Sequence, residues 1–467
     1  MYLCRKFGNK DTSFMTKRLL MILLSGCFAL TTSAQTAREE IEANKYLAGS
    51  NYLDYNRQMT TQPLTPAPKG YVPFYMSHYG RHGSRWLISK DSYTSVVEPM
   101  QKARKYGKLT AKGEEVLGQL ETFVKLPVPN YPALDGKYEG AQLRLGDLSS
   151  VGERQHHGIG KRMTQNFPEI FKAKNVAIDA RSTVVIRCIL SMVAECEEFM
   201  AANPTARIHN DASEALQYYL NAPRTGLVKA MGTKGRDYRK KHATQQQANR
   251  LMQVLFNDQQ WVSDSLKAGS IMYNLFEIAT NMQSHDTDID MYPLFTNDEI
   301  YDQWRIRNIG WYLDYGPAPQ TGGVMPFSQK NLLRNIIETA DTVTQTQATL
   351  RFGHEVCVMP LACLLELGNC GIAVDNLDEL DKYWRNYRIY PMASNIQLIF
   401  YKPKKSLNSK PSSLNSEDIL VKALLNEREV TLPIPTDQYP YYNWAKLRQY
   451  YLDKLDAFDA REAEQIK

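Results

Sequence analysis

Five consecutive residues, Arg81-His82-Gly83-Ser84-Arg85, put one imidazole between two guanidinium groups. Guanidinium forks donate paired hydrogen bonds to the oxygens of a tetrahedral anion and stay charged at any working pH. A histidine held between them would meet a phosphorus atom whose charge its neighbours already offset, which is what nucleophilic attack on a phosphoryl group requires. By composition alone the same residues read as two surface arginines and a loop histidine. Their setting favours a site. Residues 71–79 alternate as a strand does, with Val72, Phe74 and Met76 on one side, and Gly80 and Gly83 punctuate the strand's exit, with Gly83 letting the backbone turn sharply. Open α/β sheets place their ligands at the ends of such strands.

Two further units of the same kind must position partners for this group. In the first, Val176-Ala177-Ile178 leads through Arg181-Ser182-Thr183 into a helix on which Val185, Ile186, Ile189, Val193 and Cys196 share a face, with Arg187 outside that arc. Ser182 or Thr183 is suited to cap it. In the second, a strand over 348–352 turns at Gly353 into His354 and Glu355, and a helix comes next that carries Pro360 in its first turn and ends at Gly368. Between them, helix signals dominate, notably over 245–256, 263–280 and 331–340. Strands separated by helices, with a helical stretch inserted among them, predict an α/β fold. The expectation is a three-layer core with a mixed, mostly parallel sheet over 35–200 and 341–467, and a mostly helical cap over 201–340.

These segments together resemble the histidine acid phosphatases. Arg81-His82-Gly83-Ser84-Arg85 is similar to the RHGxR signature of that family, and Gly353-His354-Glu355 to its distant His-acid pair. Arg187, with Ser191 four residues later, matches an arginine near the start of a helix between the two. Leu148-Ser149-Ser150-Val151-Gly152-Glu153-Arg154-Gln155 resembles the L-S/T-x-x-G-x-x-Q stretch beside the active-site loop. The resemblance implies a phosphoric monoester hydrolase needing no cofactor or metal. Arg81, Arg85, Arg187 and His354 would hold the phosphate, with Arg181 a second candidate. His82 would become the phosphohistidine, and Glu355 would protonate the leaving oxygen. The common family pattern is His-Asp; Glu355 is one methylene longer and can do the same chemistry. Unperturbed Glu titrates near ~4.3, which predicts an acidic optimum. The neighbouring His156 and His157 point about 100° apart on a helix and do not share an ion.

The resemblance implies a small-molecule phosphomonoester as partner: phytate or another inositol polyphosphate, or alternatively sugar or nucleotide phosphates for a broad-specificity acid phosphatase. A catalytically silent phospho-ligand binder on the same fold would not need His82 and Glu355. Lys229, Lys234, Arg236, Arg239, Lys240 and Lys241 form a basic cluster in the insertion that could meet an acidic substrate, although such runs are usually solvated.

The N-terminus carries a different signal. Lys17 and Arg18 precede an apolar run over 19–30, with small residues up to Ala34, the layout of a secretory signal peptide over 1–34. Met15 is an alternative start. Leu24-Ser25-Gly26-Cys27 offers a lipid anchor at Cys27 as the minority alternative to free export, periplasmic or secreted. The run is too short to span a bilayer as a helix. The chain has 467 residues and a formal charge of +6; losing 1–34 removes five basic residues and one acidic one and leaves +2. No basic stripe or recognition motif points to nucleic acid. Five cysteines then remain, Cys188, Cys196, Cys357, Cys363 and Cys370, an odd number that excludes a dense disulfide framework, while Cys363 with Cys370 or Cys188 with Cys196 could pair.

Overall fold

The structure, a computed structural model, describes residues 35–58, 62–124, 144–242, 248–343, 345–406 and 416–465. The expected signal segment 1–34, with Cys27 and Met15, lies outside them.

One mixed sheet organises the chain. It is built from β1 (Tyr71–Arg81), β2 (Ala177–Ser182), β3 (Arg207–Asp211), β4 (Ala348–Gly353), β5 (Asn395–Pro403), β6 (Leu420–Leu425), β7 (Arg428–Val430) and β8 (Tyr442–Asn443). The order is β3-β2-β4-β1-β5-β6-β7, with β8 on β6. β3, β2, β4 and β1 pair in parallel, and β5 onward is antiparallel. Parallel pairing is thus confined to the strands that lead into the three motifs and the edge strand beside them.

The longer helices are α1 (Asp91–Lys105), α2 (Ala111–Val124), α3 (Ser150–Asn166), α4 (Ile186–Ala202), α5 (Gly226–His242), α6 (Ala268–Asn281), α7 (Asn297–Tyr315), α8 (Lys330–Thr342), α9 (Glu355–Leu364) and α10 (Trp444–Gln465). Because side chains alternate across a strand, β1 feeds both faces of the sheet: Tyr75 and Tyr79 join the core formed with α8, α9 and α10, and Met76 joins the core formed with α3 and α4. β4 and β5 are buried along their whole length, as strands covered on both sides must be. On α8 the apolar residues recur as helix packing demands, with Leu332, Leu333, Ile336 and Ile337 all buried.

A third apolar cluster contains no strand residue. It joins Tyr93, Leu117 and Phe123 of α1 and α2 to Leu275 and Phe276 of α6 and Trp304 of α7. Helices on either side of residue 200 therefore pack into one helical body. Conversely β3, inside the 201–340 stretch, belongs to the sheet.

Three local expectations change. α4 begins at Ile186 after Val185, whose side chain gives no cap bond, because Ser182 and Thr183 still belong to the strand end and its exit. Its buried face is Cys188, Met192, Cys196 and Phe199, whereas Ile186 and Val193 are exposed. Pro360 sits inside α9 rather than in its first turn. The carbonyl of Val356, which Pro360 leaves without its helical donor, accepts a hydrogen bond from Gln329 Nε2 at 3.4 Å. The five cysteines are all buried free thiols.

Candidate active site

Strand register brings the distant motifs together. Arg81 at the end of β1 lies opposite Gly353 at the end of β4, and Ser182 of β2 opposite Phe352. His82 N–H donates to Gly353 O at 2.9 Å and Thr183 N–H to Phe352 O at 3.0 Å. His82, His354 and Thr183 thus emerge side by side at the C-terminal ends of three parallel strands.

The loop after β1 is held from three directions. Gln155 on α3 accepts from Ser84 N–H at 2.8 Å and donates to Ser84 Oγ at 2.9 Å and Asp54 Oδ1 at 2.7 Å. Ser191 on α4 accepts from Gly83 N–H at 3.1 Å and donates to Arg187 O at 2.8 Å, so one hydroxyl links the loop to the arginine's turn. Asn281, the last residue of α6, donates to Arg85 O at 3.0 Å. Gly83 is needed here for close approach, its φ lying outside the left-handed region. A Cβ on Gly83 would meet Gly152 O at 2.4 Å, and one on Gly152 would meet Ser84 O at 2.2 Å. Gly152→Ala is therefore expected to lower stability by about 1–3 kcal/mol. Through the displaced loop it should lower kcat by about 10²-fold. A variant with unchanged Tm and kcat would contradict this contact.

Within that frame the charged groups converge. Glu355, the first residue of α9, has Oε2 at 3.2 Å from Arg81 Nε and 3.4 Å from His82 Nε2, and Oε1 at 3.8 Å from Arg85 Nη2. Arg81 is fully buried, one arm donating to Tyr390 O at 3.0 Å. Arg85 donates to Trp86 O at 2.9 Å and lies 5.4 Å over the Tyr52 ring. Arg187 reaches Gly146 O at 3.3 Å. Each of these arginines still has buried N–H groups with no hydrogen-bond partner among the described residues. Buried donors left over in this way suit a polyoxygen anion.

His82 Nδ1 lies 2.9 Å from Gly83 O; a carbonyl only accepts, so Nδ1 carries the proton and Nε2 the free pair. Burial, with Arg81 and Arg85 nearby, holds His82 well below its ordinary range, against the opposing pull of Glu355, so the ring stays neutral in acid. His354 sits edge-on to His82 at 5.6 Å between ring centres, with Nε2 at 3.3 Å from Thr183 Oγ1. Burial and the charges of Arg187, Arg81 and Arg85 bring it down to about 4. Burial alone would raise Glu355; the Arg81 and Arg85 guanidinium groups outweigh it and hold the carboxyl well below the usual carboxylate range.

Five of the six expected residues, Arg81, His82, Arg85, His354 and Glu355, come together here, and Arg187 lies near enough for its charge to bear on His354. Arg181 does not join them: it pairs with Asp179 at 2.5 Å and donates to Tyr219 OH at 3.1 Å. His156 is buried against Glu195 at 2.7 Å, and His157 pairs with Glu198 at 2.9 Å. Lys229 and Lys234 are exposed on α5, while Arg236, Arg239, Lys240 and Lys241 lie outside the residues whose side chains are described. His82, His354 and Glu355 have ligating atoms within 4.8 Å of one another, a spacing that could hold a metal. Three guanidinium groups bordering the same space disfavour a dication there. Sequence reasoning missed Asp54, Asn281 and Tyr390, isolated polar or aromatic residues with no motif around them.

The fold and site are those of a phosphatase. The model of the histidine phosphatase superfamily, branch 2, matches residues 80–426, and the chain belongs to that family. Among curated proteins none matches the chain by sequence. Solved structures share its fold. The multiple inositol polyphosphate phosphatase of Bifidobacterium longum in complex with inositol hexasulfate is 18% identical, with 86% of this chain and 96% of that chain covered and a TM-score of 0.59. Its complex with phosphate is 19% identical, with 87% and 97% covered and a TM-score of 0.57. A phytase from D. castellii is 14% identical, with 91% and 89% covered and a TM-score of 0.63. No described helix is long and apolar enough to cross a membrane.

Proposed function

We propose that this phosphatase hydrolyses inositol polyphosphates such as phytate through a phosphohistidine on His82. What supports the reading is the gathering of Arg81, Arg85, His82 and His354 around the Glu355 carboxylate, with buried guanidinium N–H groups left without hydrogen-bond partners. The Glu355 carboxylate lies against donors that a phosphoryl group would need, so a bound substrate turns it aside. The phosphoryl group of a substrate that binds as its monoanion offsets the cationic neighbours, the proton affinity of Glu355 rises, and the carboxyl takes up the ester's own proton, which makes it a proton donor at the right moment.

In the first step His82 Nε2 attacks phosphorus in line, the P–O ester bond breaks, and Glu355 gives its proton to the departing alkoxide. Water then attacks the phosphohistidine, Glu355 takes the water proton, and the N–P bond breaks to release phosphate on a neutral imidazole. Arg81, Arg85, Arg187 and His354 hold the phosphoryl oxygens throughout.

The substrate class is supported by the like-folded phosphatases named above. The layout of 1–34 supports removal of that segment on export. Residues 35–200 and 341–467 are read as the core and 201–340 as the cap, with α1 and α2 lending the cap part of its apolar interior.

Phosphate release from phytate, glucose phosphate and an aryl phosphate tests the substrate. The expected kcat/KM for phytate exceeds that for glucose phosphate by about 10-fold or more, since each added phosphate anchors the ring to further donors. Equal or better turnover of sugar phosphates would assign a broad-specificity acid phosphatase instead.

A further inference from the structure

Where α6 ends, the stretch from Asn281 to Asp286 meets the loop after β1 and its supports at three points. Asn281 donates to Arg85 O, Gln283 Oε1 accepts from Asp54 N–H at 3.0 Å, and Asp286 pairs with Arg154 of α3 at 2.5 Å. Asp54 and Arg154 both adjoin Gln155, the first by a hydrogen bond and the second along the chain. His285 lies inside this stretch, and no step of the mechanism uses it.

Its surroundings fix both its proton and its place. A carbonyl only accepts, so Asn281 turns Nδ2 to Arg85 O and is left with Oδ1 facing His285 Nε2 at 3.2 Å. His285 Nε2 must therefore carry a proton, and that bond satisfies the second end of a fully buried amide. Burial outweighs the pull of Asp286 and brings His285 down to about 3, so the ring stays neutral at working pH. The same ring packs on Trp86 at 4.0 Å between centres and meets Phe123 of α2 edge-on at 5.3 Å.

Trp86 matters because its backbone carbonyl accepts from Arg85 Nη1 at 2.9 Å. One imidazole thus steadies Arg85 at both ends, the main chain through Asn281 and the guanidinium through Trp86. Trp86, Phe123 and the residues of α6 share one apolar cluster, so the packing of the helical body reaches Arg85 by this route. Without the His285 donor, a buried amide oxygen is orphaned and Asn281 loses what orients it toward Arg85. A misplacement of about 1 Å at such a group is enough to cost about 10²-fold in rate.

We propose that His285 is a positioning residue that, given the phosphate-holding role of Arg85, aims that guanidinium by fixing Asn281 and Trp86. Two substitutions separate its donor from its bulk. His285→Phe keeps a ring beside Trp86 but donates nothing, and kcat/KM for an aryl phosphate should fall by about 10–100-fold, with the inhibition constant of inorganic phosphate rising in step. His285→Gln places an amide N–H near the position of Nε2 and should stay within about 5-fold of wild type. Arg85→Ala alone should weaken phosphate binding by about 100-fold or more, and adding His285→Phe to it should cost less than about 3-fold further, since a guanidinium that is gone cannot be misplaced. A merely structural histidine would cost the same factor in both backgrounds. That additivity, a His285→Phe variant within about 2-fold of wild type, or a His285→Gln variant as damaged as His285→Phe would each overturn the role of His285 alone. Should His285→Phe fail to fold, His285→Gln decides, and a loss beyond about 5-fold overturns the role. Arg85→Ala binding phosphate as tightly as wild type would instead overturn the role of Arg85, and that of His285 with it.

Discussion

His82→Ala should abolish turnover, lowering kcat by about 10⁴–10⁶-fold on every phosphomonoester, because the proposed mechanism makes the residue the phosphoryl acceptor and not one of several interchangeable donors. Its neighbours cannot substitute. His354 Nε2 already faces Thr183 Oγ1, and Glu355 is held as a carboxylate among Arg81, His82 and Arg85. Rapid quenching of the wild type with radiolabelled substrate should trap a protein-bound phosphate that is labile to acid and stable to base, absent from the variant. Chelating agents should leave the wild-type rate unchanged, since Arg81, Arg85 and Arg187 supply the positive charge that a metal would otherwise bring. Residual activity in His82→Ala within about 10-fold of wild type would remove the residue from the mechanism. Tight phosphate binding by a wild type with no turnover would leave a binding protein on a phosphatase fold.

Glu355→Gln separates leaving groups. Alkyl phosphates such as glycerol phosphate leave as alkoxides and need a proton, so their kcat should fall by about 10²–10⁴-fold. Aryl phosphates leave unaided, and their first step should fall by less than about 10-fold. The second step still needs a base for water, so the aryl substrate should show a burst and then accumulation of phosphoenzyme. Equal losses in the first, phosphoenzyme-forming step on both substrates would exclude Glu355 as the donor.

The direction of the Glu355 shift sets the pH dependence. Its pKa in the free protein is depressed, so the carboxyl stays ionised down through the ordinary carboxylate range and does not titrate there. The proton must enter with the substrate, whose second phosphate ionisation lies near ~6. Hence kcat/KM should fall as pH rises through that value and lack a limb near ~4.5. The acidic optimum expected from an unperturbed Glu survives, with its source moved from the protein to the ester. By the same logic, binding of an inert oxyanion should take up protons, measured calorimetrically in two buffers.

The chemistry was legible where it is local. Arg81 to Arg85 are consecutive, and His354 and Glu355 adjacent, so their types and the strands before them sufficed. What joins them is a register, Arg81 against Gly353, between strands far apart in the chain, and no short window contains it. Asn281 and Tyr390 reach the site by the same long-range packing, the first by its side chain and the second by its backbone carbonyl, for which residue type carries no signal. The antiparallel strands escaped notice for another reason. β5 is buried on both faces and holds Asn395 and Gln397, so it shows neither alternation nor an unbroken apolar run. On α4, periodicity marked Ile186 and Val193 as core although both are exposed, because the helix carries apolar residues on two faces and only the one with Cys188, Met192, Cys196 and Phe199 packs inward.

The central position of β1 constrains how the protein comes into being. Its neighbours on either side are β4 and β5, made after nearly all the intervening helices. At about 5–20 residues per second, the strand waits roughly 15–65 seconds for β5 to emerge from the ribosome. Until β4 has been made, somewhat before β5, the end of β1 has no Gly353 to meet, and no shorter chain holds Glu355 beside His82. Such a topology folds slowly, since its decisive contacts close the longest loops. A nascent chain would carry an inactive, open edge for most of its synthesis, a state that needs shielding by chaperones and one that can still be threaded through a narrow pore.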